Sequence, residues 1–169
     1  MSASVRAVLS LGSNLGDREH ILAHAVEQLR AIDGVDVDAV SGLVETAAIK
    51  PTGVDENAPA YLNLVAIVTT TLEPVELLAA LGRIEQDNGR VREVRWGDRT
   101  LDIDIVSMGD LELDTAVLTL PHPRAAERAF VLVPWLEIDP DATLPGIGTV
   151  GRLPAAREDV PRYRGRSDS

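Results

Sequence analysis

Between Val5 and Val106 the apolar residues switch between a two-residue and a 3.6-residue period, in the order strand, helix, strand, strand, helix, strand. Both helical stretches stop at glycine, one at Asp33-Gly34 and one at Gly89. A length of 169 residues with 45% hydrophobic content suits a single core. These observations predict an α+β fold: a ferredoxin-like βαββαβ sandwich with a C-terminal extension.

The first element is VRAVLSL, residues 5–11, a β-branched and leucine-rich run that ends at Gly12 as a buried strand would. The GSNLGD segment after it reads as a tight strand-to-helix turn with a capping residue. From Asp17 onward Ile21, Leu22, Ala25, Leu29 and Ile32 recur at helical spacing. His20 and His24 sit one turn apart on this helix without the glutamate of a zinc-protease motif, so they read as an exposed face. Val35, Val37 and Ala39 alternate with Asp36 and Asp38 in a strand running to about Thr46, followed by a Pro- and Gly-containing loop to about Pro59. YLNLVAIVTTT, residues 61–71, is the next strand. Pro74 opens a helix whose apolar face is Leu77, Leu78, Leu81 and Ile84. After an arginine-rich loop, LDIDIV at 101–106 restores the two-residue alternation, and a hairpin is expected near Gly109-Asp110. The domain is drawn at 1–148, with an Arg-, Pro- and Gly-rich tail at 149–169 whose end is expected to be disordered.

No run of about 18 apolar residues and no secretory leader pattern occurs, which predicts a cytoplasmic protein outside the membrane. A formal charge of −11 opposes nonspecific binding to nucleic acid. The absence of cysteine excludes a disulfide framework, cysteine-based zinc sites and a thiol nucleophile. Lys50 is the only lysine, and Arg83, Arg90, Arg92, Arg95 and Arg99 cluster in one short segment.

Side chains two apart on a strand share a face, so Asp102 and Asp104 project together while Leu101, Ile103 and Ile105 enter the core. A carboxylate pair alone is compatible with an ordinary solvated strand face. RVREVRWGDRT immediately before it changes the balance, because arginine forks match phosphate oxygens and Mg²⁺ takes one or two carboxylates plus phosphate and water. The chain has no Walker-type phosphate loop. With only five aromatic residues, Tyr61, Trp96 and Phe130 become candidates to stack a planar heterocycle, and Asn63, on the same face as Tyr61, could bond its edge. His122 lies between two prolines, with Arg124 and Arg128 close by as possible phosphate contacts.

The combination LSLGSNLGDR, YLN, GRVREVRWGDRTLDIDI and LTLPHPRAAERAFVLVPWLEIDP resembles the 6-hydroxymethyl-7,8-dihydropterin pyrophosphokinases of folate biosynthesis, from about Val8 to Pro140. The resemblance implies a magnesium-dependent diphosphokinase, a transferase that moves pyrophosphate from ATP to the pterin hydroxymethyl oxygen and releases AMP. By this likeness Asp102 and Asp104 hold two Mg²⁺ ions, and Arg90, Arg92 and Arg99 are catalytic with them. Glu85, Arg92, Trp96, Arg99, Ile105, Thr119, His122 and Arg128 lie on the ATP side. Thr46, Ala47, Ile49, Tyr61, Asn63 and Phe130 form the pterin side. The loop from about Gly89 to Thr100 is expected to close over bound ATP, and a monomer is expected. Three departures from the family pattern are Asp98 at a usual proline, a spacing from Arg92 to Trp96 one residue shorter than in some members, and Ala47-Ala48 at a usual proline pair. The competing readings are another magnesium-dependent phosphotransferase and a noncatalytic ligand-binding module on the same scaffold.

Overall fold

The computed structural model describes residues 4–13, 17–46, 61–88 and 101–161, and the main chain alone of 49–50 and 53–54. Its elements are β1 (Val5–Ser13), α1 (Arg18–Arg30), β2 (Val35–Val40), β3 (Val44–Thr46), β4 (Ile49–Lys50), β5 (Gly53–Val54), β6 (Tyr61–Thr70), α2 (Pro74–Asp87), β7 (Asp102–Met108), β8 (Leu113–Asp114), β9 (Thr119–Leu120), α3 (Ala129–Ile138), β10 (Thr143–Leu144) and β11 (Gly148–Thr149). The main sheet runs β2-β6-β1-β7, with β3 also on β6, and every pair is antiparallel. Two interleaved βαβ units generate this order: β6 lies between β1 and β2, and β1 lies between β6 and β7. That is the predicted ferredoxin-like arrangement.

Strand alternation sends Ala7, Leu9, Leu11, Leu62, Leu64, Ala66, Ile103 and Ile105 into one core with α1 and α2. Asp17 caps α1 by accepting from the His20 amide at 3.3 Å, as expected of the turn. His20 and His24 are both exposed on that helix, with their rings stacked. At α2, Pro74 fills the first turn, where its missing N–H costs nothing, and the Glu73 amide donates to Glu76 at 2.9 Å. No helix among the described residues is long and apolar enough to cross a membrane.

The opposite sheet face is covered by α3, whose Val131, Leu132 and Trp135 pack on Val8, Val65, Ile67 and Val106. Periodicity predicts no element here, because AFVLVPWLEI is apolar nearly all round and contains Pro134. The expected strand at 35–46 is divided into β2 and β3. Ser41 divides it: its Oγ accepts from the Val65 amide at 2.9 Å, placing a side chain where a strand would use its main chain. The expected hairpin is also displaced. A turn with Gly109 at φ +56° does follow β7, but the paired hairpin is β8–β9, closed by the Thr115 amide on the Leu118 carbonyl.

Part of the segment expected to be a tail packs against the core. Residues 150–157 form two short 3-10 turns beneath α3, with Val150 fully buried and Ala155 nearly so. Composition suggested a tail, but the few apolar residues spaced along it are the ones that pack. The end of the tail, where disorder is expected, lies outside the described residues, which stop at Pro161.

Candidate active site

The face beneath α3 is apolar for only half its length. Along β1 it changes from Val8 to Ser10 and Gly12, along β6 from Val65 to Asn63 and Tyr61, and along β7 from Val106 to Asp104 and Asp102. Polar side chains on this half cannot seat a helix, so it remains open as the floor of a cavity of about 650 Å³. Arg124, Glu127, Arg128 and Phe130 line that cavity from above.

Asp102 stands opposite Gly12 and Asp104 opposite Ser10, both toward the cavity, while Leu101, Ile103 and Ile105 are buried on the other face. The shared face predicted for the two carboxylates is therefore present. The Ile103 amide, between them, donates to Glu85 Oε2 at 2.9 Å. Glu85 is buried on α2, so a helix carboxylate holds the strand segment that carries both aspartates.

Gly12 belongs to β1 rather than to the turn, and its need for glycine is steric. A Cβ there would lie 2.7 Å from Asn63 Oδ1. Asn63 is almost fully buried and donates through Nδ2 to Thr46 Oγ1 at 3.2 Å. Bare backbone at Gly12 is what leaves room for the Asn63 amide beside Tyr61. Phe130 packs its inner side on the core, and the Arg128 guanidinium sits 5.6 Å from its ring centroid.

His122 is fixed by its main chain, whose amide donates to the Val106 carbonyl at 2.8 Å, and by its ring, whose Nδ1 accepts from the Arg124 amide at 3.2 Å. In the neutral ring the proton is then on Nε2, a hydrogen-bond donor. Burial is the main cause that lowers its pKa; Asp104 opposes the shift, and Arg128 and Arg124 add to it. The folded chain thus binds this proton less readily than the unfolded chain. Stability from this group is complete above the ordinary value of 6.5 and is lost as pH falls from there through the folded value. In metal-free protein, His122→Asn keeps an acceptor for the Arg124 amide and should flatten the decline in melting temperature between about pH 7 and 5. An unchanged decline would assign it to other groups.

Of the predicted residues, Thr46, Tyr61, Asn63, Asp102, Asp104, Arg128 and Phe130 meet in this one cavity. Thr119 instead lines a neighbouring cavity of about 590 Å³ at the β8–β9 hairpin. The Ile105 side chain is committed to the core, so any ATP contact there falls to its main chain. Arg90, Arg92, Trp96, Arg99 and Ala47 lie outside the described residues, and only the main chain of Ile49 is described. Sequence reasoning missed Ser10, Gly12 and residues 158–161 as cavity lining. The available signal for the first two was that they alternate with Leu9 and Leu11, which places them together on the face of β1 away from the leucine side.

The profile of the 7,8-dihydro-6-hydroxymethylpterin-pyrophosphokinase family matches residues 8–140. The chain belongs to this family. A 2-amino-4-hydroxy-6-hydroxymethyldihydropteridine pyrophosphokinase of Bacillus subtilis is 45% identical over 132 residues, 78% of this chain and 77% of the relative. A pyrophosphokinase of the same name from Methylorubrum extorquens is 43% identical over 83% of this chain and 87% of its own length. Among solved structures, wild-type Plasmodium falciparum HPPK-DHPS with pteroate aligns with a TM-score of 0.66 at 15% identity, over 90% of this chain. The chain spans only 42% of that longer protein, so the likeness concerns the fold. As a pyrophosphokinase, this family member is a transferase that uses ATP, at a step of folate synthesis.

Proposed function

We propose that the cavity on the open half of the sheet is where pyrophosphate passes from ATP to 6-hydroxymethyl-7,8-dihydropterin, giving AMP and the pterin diphosphate. The observation that carries this reading is the meeting of a carboxylate pair, two arginines and the Tyr61, Asn63 and Phe130 group in one cavity. The carboxylate pair suits magnesium: Asp102 and Asp104 offer hard oxygen donors, and no cluster of three or more His, Cys, Asp or Glu ligands occurs among the described residues. Remaining positions would fall to phosphate oxygens and water. Two Mg²⁺ ions held there would offset the charge that builds on the transferring phosphates.

The protein's own contribution is alignment. Arg124, Arg128 and the Nε2–H of neutral His122 are donors for phosphate oxygens. Tyr61 and Phe130 hold the pterin plane, with Asn63 at its edge. The Arg128 guanidinium lies 5.6 Å from the Phe130 ring centroid, so a donor for phosphate and a ring that would stack on the pterin stand side by side. Such transfer depends on in-line approach and charge neutralisation more than on a strong base. Action as a monomer is part of this proposal. The arginines of 89–100 are expected to add to the phosphate side.

AMP should form from ATP with magnesium only when the pterin is added. AMP formation without pterin would favour another phosphotransfer, and none under any condition would favour a noncatalytic binding module. Phe130→Ala should weaken pterin binding about tenfold while changing ATP-analogue binding less than twofold, as measured by calorimetry. Equal losses for both ligands would assign Phe130 to the core alone.

A further inference from the structure

Residues 158–161 lie beyond the family match, which ends at 140, yet all four line the cavity that contains Tyr61, Asn63 and Phe130. The fold explains how they reach it. Val150 and Ala155 are buried in the core with Trp135, which pins the two 3-10 turns beneath α3. The chain then crosses to β3, where the Pro161 carbonyl accepts from the Glu45 amide at 2.9 Å. Glu45 is itself tied to Arg18 of α1 at 3.0 Å, and its neighbour Thr46 holds the Asn63 amide. The segment is therefore anchored at both ends, and its far anchor is one residue from the group that fixes Asn63. Within it Val160 is half-buried while Glu158, Asp159 and Pro161 are exposed, so Val160 supplies the inward apolar surface.

We propose that residues 158–161 form a wall of the pterin side of the pocket, with Val160 as its contact, and determine affinity for the pterin rather than for ATP. This rests on the assignment of the Tyr61, Asn63 and Phe130 end to the pterin. A planar heterocycle gains most when a side wall excludes water from its rim, and a short strap that is already tied down supplies such a wall with little ordering cost on binding. Carboxylates at Glu158 and Asp159 also disfavour phosphate at this end, leaving the triphosphate to the arginine and aspartate end.

Two variants test the wall: a chain ending at Arg157, and full-length Val160→Ala. Calorimetry would measure binding of 6-hydroxymethyl-7,8-dihydropterin and, separately, of a nonhydrolysable ATP analogue with magnesium, with Phe130→Ala run alongside. The shortened chain should bind the pterin about tenfold more weakly and Val160→Ala about threefold more weakly, with ATP-analogue affinity within about twofold of wild type. Melting temperature should hold, because Val150 and Ala155 remain. If both variants keep wild-type pterin affinity while Phe130→Ala loses it, the wall is wrong and the site stands. If all three keep it, the site assignment itself fails. Equal loss for both ligands together with a lower melting temperature would make the segment a structural strap and overturn the proposal.

Discussion

Asp104→Asn is expected to lower turnover by about three orders of magnitude with the fold intact. Asp104 is exposed to the cavity on β7, while the neighbours that hold the strand, Ile103 and Ile105, are buried on the other face. Asparagine preserves shape but removes the charge that a hard cation requires. Because Asp102 and Asp104 share a face, removing one carboxylate also relieves like-charge repulsion in the ligand-free protein. The melting temperature should therefore stay the same or rise slightly as activity collapses, a combination that a packing residue would not produce. Measuring AMP formation beside a thermal melt separates the two. Asp102→Asn should behave alike in turnover, and near wild-type rates in either variant would remove the metal assignment.

Gly12→Ala should cost at least tenfold in pterin affinity, although the substitution adds one methyl group. The new Cβ would stand 2.7 Å from Asn63 Oδ1, closer than any real contact permits, so the amide must rotate away. Rotation breaks its bond to Thr46 and moves the group out of the plane in which it would meet the pterin edge. ATP-analogue affinity should change less than about twofold, since the aspartates are held from the other side by Glu85. A double-mutant cycle gives the decisive comparison. In an Asn63→Ala background the clash partner is absent, and Gly12→Ala should cost little more. A large further loss there would mean that the bare backbone itself meets the substrate, and an unchanged single variant would show that Asn63 does not depend on Gly12.

Each part of the site was readable to the extent that its cause is local. Asp102 and Asp104 could be placed on one face because strand alternation is a property of the backbone. Asp17 could be placed at the start of α1 because capping acts over three residues. The division at Ser41 could not be read, since it depends on a hydroxyl meeting Val65 on another strand. Nor could α3, whose apolar surface is continuous because neighbours bury it on most sides.

The amino-acid sequence by itself determined the strand and helix order of the βαββαβ unit through residue 106, the face of the carboxylate pair and, through its combined motifs, the pyrophosphokinase family. The first two follow from periods and spacings a few residues long, and the third from the likeness of four separate motifs to those of the family. Only the tertiary structure decided that α3 covers half of one sheet face and leaves the polar half open, that Gly12 makes room for Asn63, and that residues 158–161 close on β3 beside the pocket. Those outcomes depend on groups far apart in sequence meeting at van der Waals and hydrogen-bond distance, where no short period carries the information.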